Sequence, residues 1–124
     1  MGRCMIAAWK QDFTREAADD GRERLDAFTG ALEETVVTIV EDTTRSHRYM
    51  DQLARMLGRV HELRQEVRDG QHPRETDRHA PVMLRLGMEE LASHSLGLQR
   101  NAHAHHDDDL AVAFEGLRQR LSVA

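Results

Sequence analysis

The chain has 124 residues, of which 31% are charged and only 4% aromatic, and its net charge at pH 7 is −5. This length suits one domain, and the scarcity of aromatic residues favours helix–helix packing over a β-sandwich or barrel. The negative charge argues against nucleic acid as the partner, because phosphate binding needs a positive surface. A single cysteine excludes an internal disulfide and indicates a reducing compartment.

All the basic residues except Lys10 are arginine, which suggests GC-rich coding and a bacterial or phage source. The apolar stretch over residues 4–9 is too short for a signal-peptide core or a membrane span. We therefore expect a cytoplasmic protein with no membrane association.

The first predicted element is a short amphipathic helix over residues 4–18. Ile6, Trp9, Phe13 and Ala17 recur in it at helical spacing. The sequence Asp-Asp-Gly at residues 19–21 is expected to end this helix.

A long helix is predicted over residues 22–69. From Leu25 to Val67, apolar residues recur at alternating steps of three and four, except at Thr35, Asp42 and Ser46. The β-branched run at residues 36–40 could form a strand by itself, but the heptad pattern on both sides favours a helix. Asp42 and Ser46 are interpreted as a polar layer that sets the register, or as a point of local fraying.

Residues 70–80 form the predicted linker, and helices are predicted over 81–106 and 108–122. Residues 107–109, three aspartates, resemble a helix cap or a first turn, so the second arm either restarts at Asp108 or continues through a stutter. The two arms have similar lengths, which predicts an all-α, coiled-coil-like antiparallel hairpin.

The apolar stripe of the long helix is wider than one partner helix needs, so the hairpin is expected to dimerise into an elongated four-helix bundle. Replacing Leu53 with aspartate is expected to dissociate this dimer. The interface is predicted to contain residues crowded on one face near the middle of the long helix: Tyr49, Met50, Leu53, Met56 and Leu57.

Histidine is the unusual residue type, with eight in the chain. Imidazole and carboxylate groups four residues apart on a helix can hold one ion, and mixed nitrogen and oxygen ligands suit zinc, nickel, manganese or iron. A solvated helix cap is the simpler interpretation of the same residues. The candidate metal ligands are His94, His103, His105, His106, Asp107 and Asp109.

The stretch from Leu91 to Gly97, with His94 at its centre, resembles the phosphorylated stretch of histidine-phosphotransfer domains. Those domains are also four-helix bundles. The resemblance covers about six residues, lacks the lysine that follows the histidine in that family, and has Gly97 one place early. It implies that His94 would accept a phosphoryl group.

No nucleophile elbow or glycine-rich phosphate loop is present, so we expect no enzyme and no cofactor. The predicted function is protein–protein interaction, in a regulatory or adaptor bundle that self-associates and binds an unidentified protein. Metal binding through the histidine and aspartate tract is the first alternative. Phosphotransfer at His94 is the second.

Overall fold

The computed structural model describes residues 2–69 and 79–122, and the side chains over 20–67 and 82–122. These residues form four helices and no strand. The all-α class expected from the sequence is confirmed. The helices are α1 (Gly2–Val40), α2 (Thr43–Asp69), α3 (His79–Ala104) and α4 (Asp108–Leu121).

Consecutive helices run antiparallel, in an up-down-up-down bundle. Asp26 on α1 pairs with Arg64 on α2 at 3.6 Å, so the two helices fold back on each other. Arg59 on α2 reaches Glu90 on α3 at 3.1 Å, which places their middles side by side. Helix α1 also packs against α3 and α4.

The prediction of one helix over residues 22–69 is wrong, because α1 ends at Val40 and α2 begins at Thr43. Asp42 accepts hydrogen bonds at Oδ1 from the backbone N–H groups of Thr44 and Arg45, at 3.1 and 3.2 Å. An aspartate that binds the first free N–H groups of a helix is a strong N-cap. Its position marks a reversal of the chain, not a polar layer inside a continuous helix.

The predicted helix end at residues 19–21 is also wrong, because α1 runs unbroken through them. Gly21 is helical and lies against α3, where a Cβ atom would come within 2.8 Å of Leu84 Cδ2. Its missing side chain allows close packing of two helices, and it does not stop α1. The side chains of the predicted helix over 4–18 lie outside the described set.

Helices α3 and α4 lie close to the predicted ranges 81–106 and 108–122, and the chain turns between them at residues 105–107. The second arm therefore restarts at Asp108. Most of the predicted linker, residues 70–78, lies outside the described residues, while residues 79 and 80 belong to α3.

The core is built by one chain from all four helices. Three polar core side chains, Thr29, Thr35 and Ser95, each donate a hydrogen bond to the carbonyl oxygen four residues earlier, so their hydroxyls are satisfied. A second copy was expected to supply half of the four-helix bundle, but the chain supplies all four helices itself. The largest fully buried side chains are Tyr49, Phe28, Phe114, Leu25, Leu32, Ile39, Leu53, Met56, Leu63, Leu91, Leu98 and Leu117.

We expect Gly87→Ala to destabilise the bundle by about 1–3 kcal/mol, because overpacking a tight contact strains its neighbours. A Cβ atom at Gly87 would lie less than 3.0 Å from three atoms of the buried Leu63 side chain. Gly58→Ala is the matched control: no atom lies within 4 Å of the new methyl group. That change should stabilise α2 by about 0.5–1 kcal/mol. Urea unfolding followed by circular dichroism measures both, and equal effects would contradict the close approach of α2 and α3.

Candidate functional site

The predicted interface residues lie mainly inside the chain's own core. Tyr49, Leu53 and Met56 are fully buried, and Met50 and Leu57 pack against them while partly exposed. The heptad pattern identified residues that need burial, but α2 packs against α1 and α3 of the same chain, and Tyr49 also contacts Phe114 of α4. Burial of Tyr49, Leu53 and Met56 therefore stabilises the fold of the single chain.

A polar cluster joins the start of α2 to the turn between α3 and α4. The Tyr49 hydroxyl donates a hydrogen bond to Asp107 Oδ2 at 2.5 Å, and Arg48 Nη1 donates to the same oxygen at 3.3 Å. Arg45 Nε lies 3.8 Å from Asp107 Oδ1, and Arg45 Nη2 binds Asp109. Two aspartates that were candidate metal ligands are thus bound by two arginines and a phenol.

The charges in this cluster stabilise one another. The hydrogen bond from Tyr49 and the neighbouring Arg48 and Arg45 lower the pKa of Asp107 below its usual value. Arg45 likewise lowers the pKa of Asp109. Burial and the contact with Asp107 raise the pKa of Tyr49 to about 12. Both carboxylates therefore stay ionised at neutral pH, and their stabilising contribution is lost only as the pH falls below about 4.

The turn that presents Asp107 is a Schellman motif. The N–H of Asp107 binds the carbonyl of Ala102 at 2.9 Å, and the N–H of His106 binds that of His103 at 3.1 Å. His106 has a φ angle of 58°, a left-handed conformation that favours glycine. The motif directs the Asp107 side chain towards α2. Asp107 is the N-cap residue of α4, but its side chain makes no capping hydrogen bond to that helix.

We expect His106→Gly to stabilise the protein by about 0.5–1 kcal/mol, because glycine adopts the left-handed conformation without a Cβ clash. His105→Gly is the matched control, since His105 does not have a positive φ angle and glycine there only adds unfolded-state entropy. Thermal unfolding measures both. Stabilisation by His105→Gly, or destabilisation by His106→Gly, would contradict this geometry.

The structure does not gather the six candidate metal ligands. His94 lies in the middle of α3, where its Nε2 is 3.9 Å from Glu90, while the three other histidines are exposed near the turn. No group of three or more histidine, cysteine, aspartate or glutamate side chains in the described part of the chain is placed to hold a metal ion. Metal binding stays a prediction, and the arginines beside Asp107 and Asp109 oppose it electrostatically.

The α3 stripe, which we define as Val82, Met83 and Leu86, is an exposed apolar surface. These residues share one face of α3 by their spacing of three and four, and Leu86 is 54% exposed. Arg85 and Glu89 border the stripe and pair at 3.4 Å. The sequence pattern did not single out this surface, because Leu84 and Met88 on the neighbouring face carry the core periodicity.

Comparisons with known proteins add no relative: no family model matches the chain, and neither a curated protein nor a solved structure is significantly similar to it. Over the residues that are described, no helix has both the length and the apolar character to cross a bilayer.

Proposed function

We propose that this protein is a non-enzymatic interaction module that self-associates and binds a partner protein through the outer faces of its helical bundle. The observation that carries the proposal is the exposed α3 stripe. The described side chains form a core within one chain, and these three large apolar side chains lie outside it. Exposed apolar surface on a small bundle is typical of a contact site. A single cysteine suits action in the reducing cytoplasm.

A second copy of the chain is the occupant that the charges around the stripe favour. In a two-fold dimer, each copy presents the same patch in the opposite direction. Two antiparallel α3 helices would then bring Arg85 of one copy towards Glu89 of the other. The α3 stripes of the two copies would pack against each other between these charged pairs. Three apolar residues per copy form a small contact, so the dimer is expected to be weak and dependent on protein concentration.

Leu86→Asp tests this dimer by sedimentation velocity over a range of concentrations. The wild type should shift from monomer to dimer as the concentration rises, and Leu86→Asp should remain a monomer with unchanged helix content, because Leu86 is exposed. Val112→Asp places the same charge on α4 at a valine that is 69% exposed, and it should dimerise like the wild type. A monomeric wild type, or equal loss in both variants, would refute self-association through α3.

Phosphotransfer at His94 is a second candidate function, favoured by one observation. His94 lies on the surface of a single-chain four-helix bundle, with 47% of its side chain exposed. The neighbouring Glu90 is bound by Arg59, which places a guanidinium one turn away. In the proposed reaction a ring nitrogen of His94 attacks the phosphorus of acetyl phosphate, the bond to the acetyl oxygen breaks, and acetate leaves.

Acetyl phosphate labelled with ³²P tests this alternative. Wild type and His103→Gln, which changes another exposed histidine, should become labelled, and His94→Gln should not. No acid-labile label on the wild type would exclude the alternative. So would equal labelling of the two variants.

A further inference from the structure

Two valines near the end of α1 have largely exposed side chains. Val37 is 69% exposed and Val40 is 55% exposed, within the β-branched run that precedes the turn into α2. β-branched residues are poor helix formers, and these two bury little apolar area in return. Folding of the described bundle therefore gives no reason for valine at either position.

Carboxylates surround these valines. Glu33 and Glu34 lie on the face of α1 that carries Val37, four and three residues before it, and Glu41 follows the end of the helix; all three are exposed. None of them forms an ion pair with another described residue. At the same end of the bundle, by contrast, Arg45 pairs with Asp107 and Asp109. This surface is left with uncompensated negative charge.

A shallow concavity continues the surface onto α2. It has a volume of about 390 Å³ and is lined by Val40, Thr43, Ser46, His47 and Asp51. Asp51 also has no ion-pair partner among the described side chains. One apolar side chain thus lies between a free carboxylate on α2 and the glutamates of α1. We call this surface, Val37 and Val40 with the concavity, the α1–α2 corner.

We propose that the α1–α2 corner docks a cationic, amphipathic segment of a partner protein. Apolar side chains of that segment cover the two valines, and its lysines or arginines reach Glu33, Glu34, Glu41 and Asp51. The long aliphatic stem of a basic residue can lie along Val40 while its charged end meets Asp51. Phosphate backbones are repelled by the same carboxylates. A second copy joined at this corner by a two-fold axis would bring the same exposed carboxylates face to face, which disfavours it as the occupant here.

This inference rests on the proposed role as an interaction module and names the chemistry of its partner. The probe is a fluorescent synthetic peptide of lysine and leucine, about four helical turns long, with its leucines on one face. Fluorescence anisotropy should show binding that weakens with added salt, because salt screens the attraction between opposite charges. The corresponding glutamate and leucine peptide should not bind.

Matched variants locate the site. Val37→Ser with Val40→Ser should weaken binding about tenfold, because apolar contact is lost while the charge is unchanged. Glu33→Gln with Glu34→Gln should weaken binding and reduce its salt dependence. Val112→Ser alters an equally exposed valine on α4 and should bind like the wild type.

Three results would overturn the proposal: no binding by the wild type, equal affinity in the Val37/Val40 and Val112 variants, or a Val37/Val40 variant that loses self-association in place of peptide binding. Sedimentation of Leu86→Asp tests a different helix. Failure at the corner therefore leaves the α3 dimer standing, and failure of the dimer leaves the corner standing.

Discussion

Leu53→Asp is expected to abolish the folded bundle at 25 °C. Leu53 is fully buried between helices of its own chain, and aspartate there would place an ionised group in an apolar core with no partner. Removing the leucine costs about 2–5 kcal/mol, and burying an unpaired charge costs several more. The sum is comparable to the whole stability of a small domain. Far-ultraviolet circular dichroism should show loss of helix, with only a broad thermal transition or none.

Ala54→Asp is the matched control for this change. It introduces the same residue one position later on α2, at an exposed site, and should cost less than 1 kcal/mol through helix propensity. The sequence pattern alone predicted a different result for Leu53→Asp: a dimer that separates. A Leu53→Asp protein that keeps full helix content and only halves its sedimenting mass would support a dimer interface at Leu53. It would contradict the single-chain core.

The heptad register predicted which residues are buried, but not the direction of the chain. Ile39, Asp42, Ser46 and Tyr49 keep alternating steps of three and four across the turn between α1 and α2. Periodicity reports which face of a helix meets the core, and a helix that folds back can continue the same spacing. The overlooked signal was local: a β-branched run followed by Asp42 and two threonines, which is a typical helix start.

Glycine carried a signal that the sequence alone left ambiguous. Gly21 follows two aspartates, and this combination usually marks a helix end. In the structure the same glycine gives Leu84 and Met88 room to pack against α1. Both uses need a missing side chain, so only the position of α3 decides between them.

The polar cluster could not be predicted, because its parts are about 60 residues apart in the chain. Arg45 and Arg48 have many possible acidic partners in a chain with 22 acidic residues. Their pairing with Asp107 and Asp109 depends on the reversals at residues 41–42 and 105–107. In the tract of histidine and aspartate, two of the aspartates bind arginines of α2.

Tyr49→Phe is expected to destabilise the bundle by about 1–2 kcal/mol at pH 7. The same change should reduce the loss of stability that the bundle undergoes as the pH rises from 10 towards 12. The hydroxyl donates to an ionised carboxylate, a bond stronger than that between neutral groups, although Arg48 still binds Asp107 in the variant. The phenyl ring keeps its tilted contact with Phe114, whose centroid lies 5.5 Å away, so core packing is retained. Tyr49→Ala, which removes the ring as well, should cost about 3–5 kcal/mol.

The alkaline behaviour follows from the pKa of Tyr49, which is raised from 10.0 to about 12 in the folded protein. In the unfolded chain the phenol loses its proton near pH 10, whereas the folded state holds it. The contribution of the Tyr49 phenol to the free energy of unfolding is therefore fully present below pH 10. It declines by about 2–3 kcal/mol as the pH rises towards 12.

The chain has a single tyrosine, so ultraviolet absorbance of tyrosinate titrates Tyr49 alone. Urea unfolding of wild type and Tyr49→Phe from pH 8 to 12 isolates its contribution, because all other titrating groups are shared. A phenol that titrates near 10 in the folded protein, or parallel stability curves for the two proteins, would show that Tyr49 does not tie α2 to Asp107.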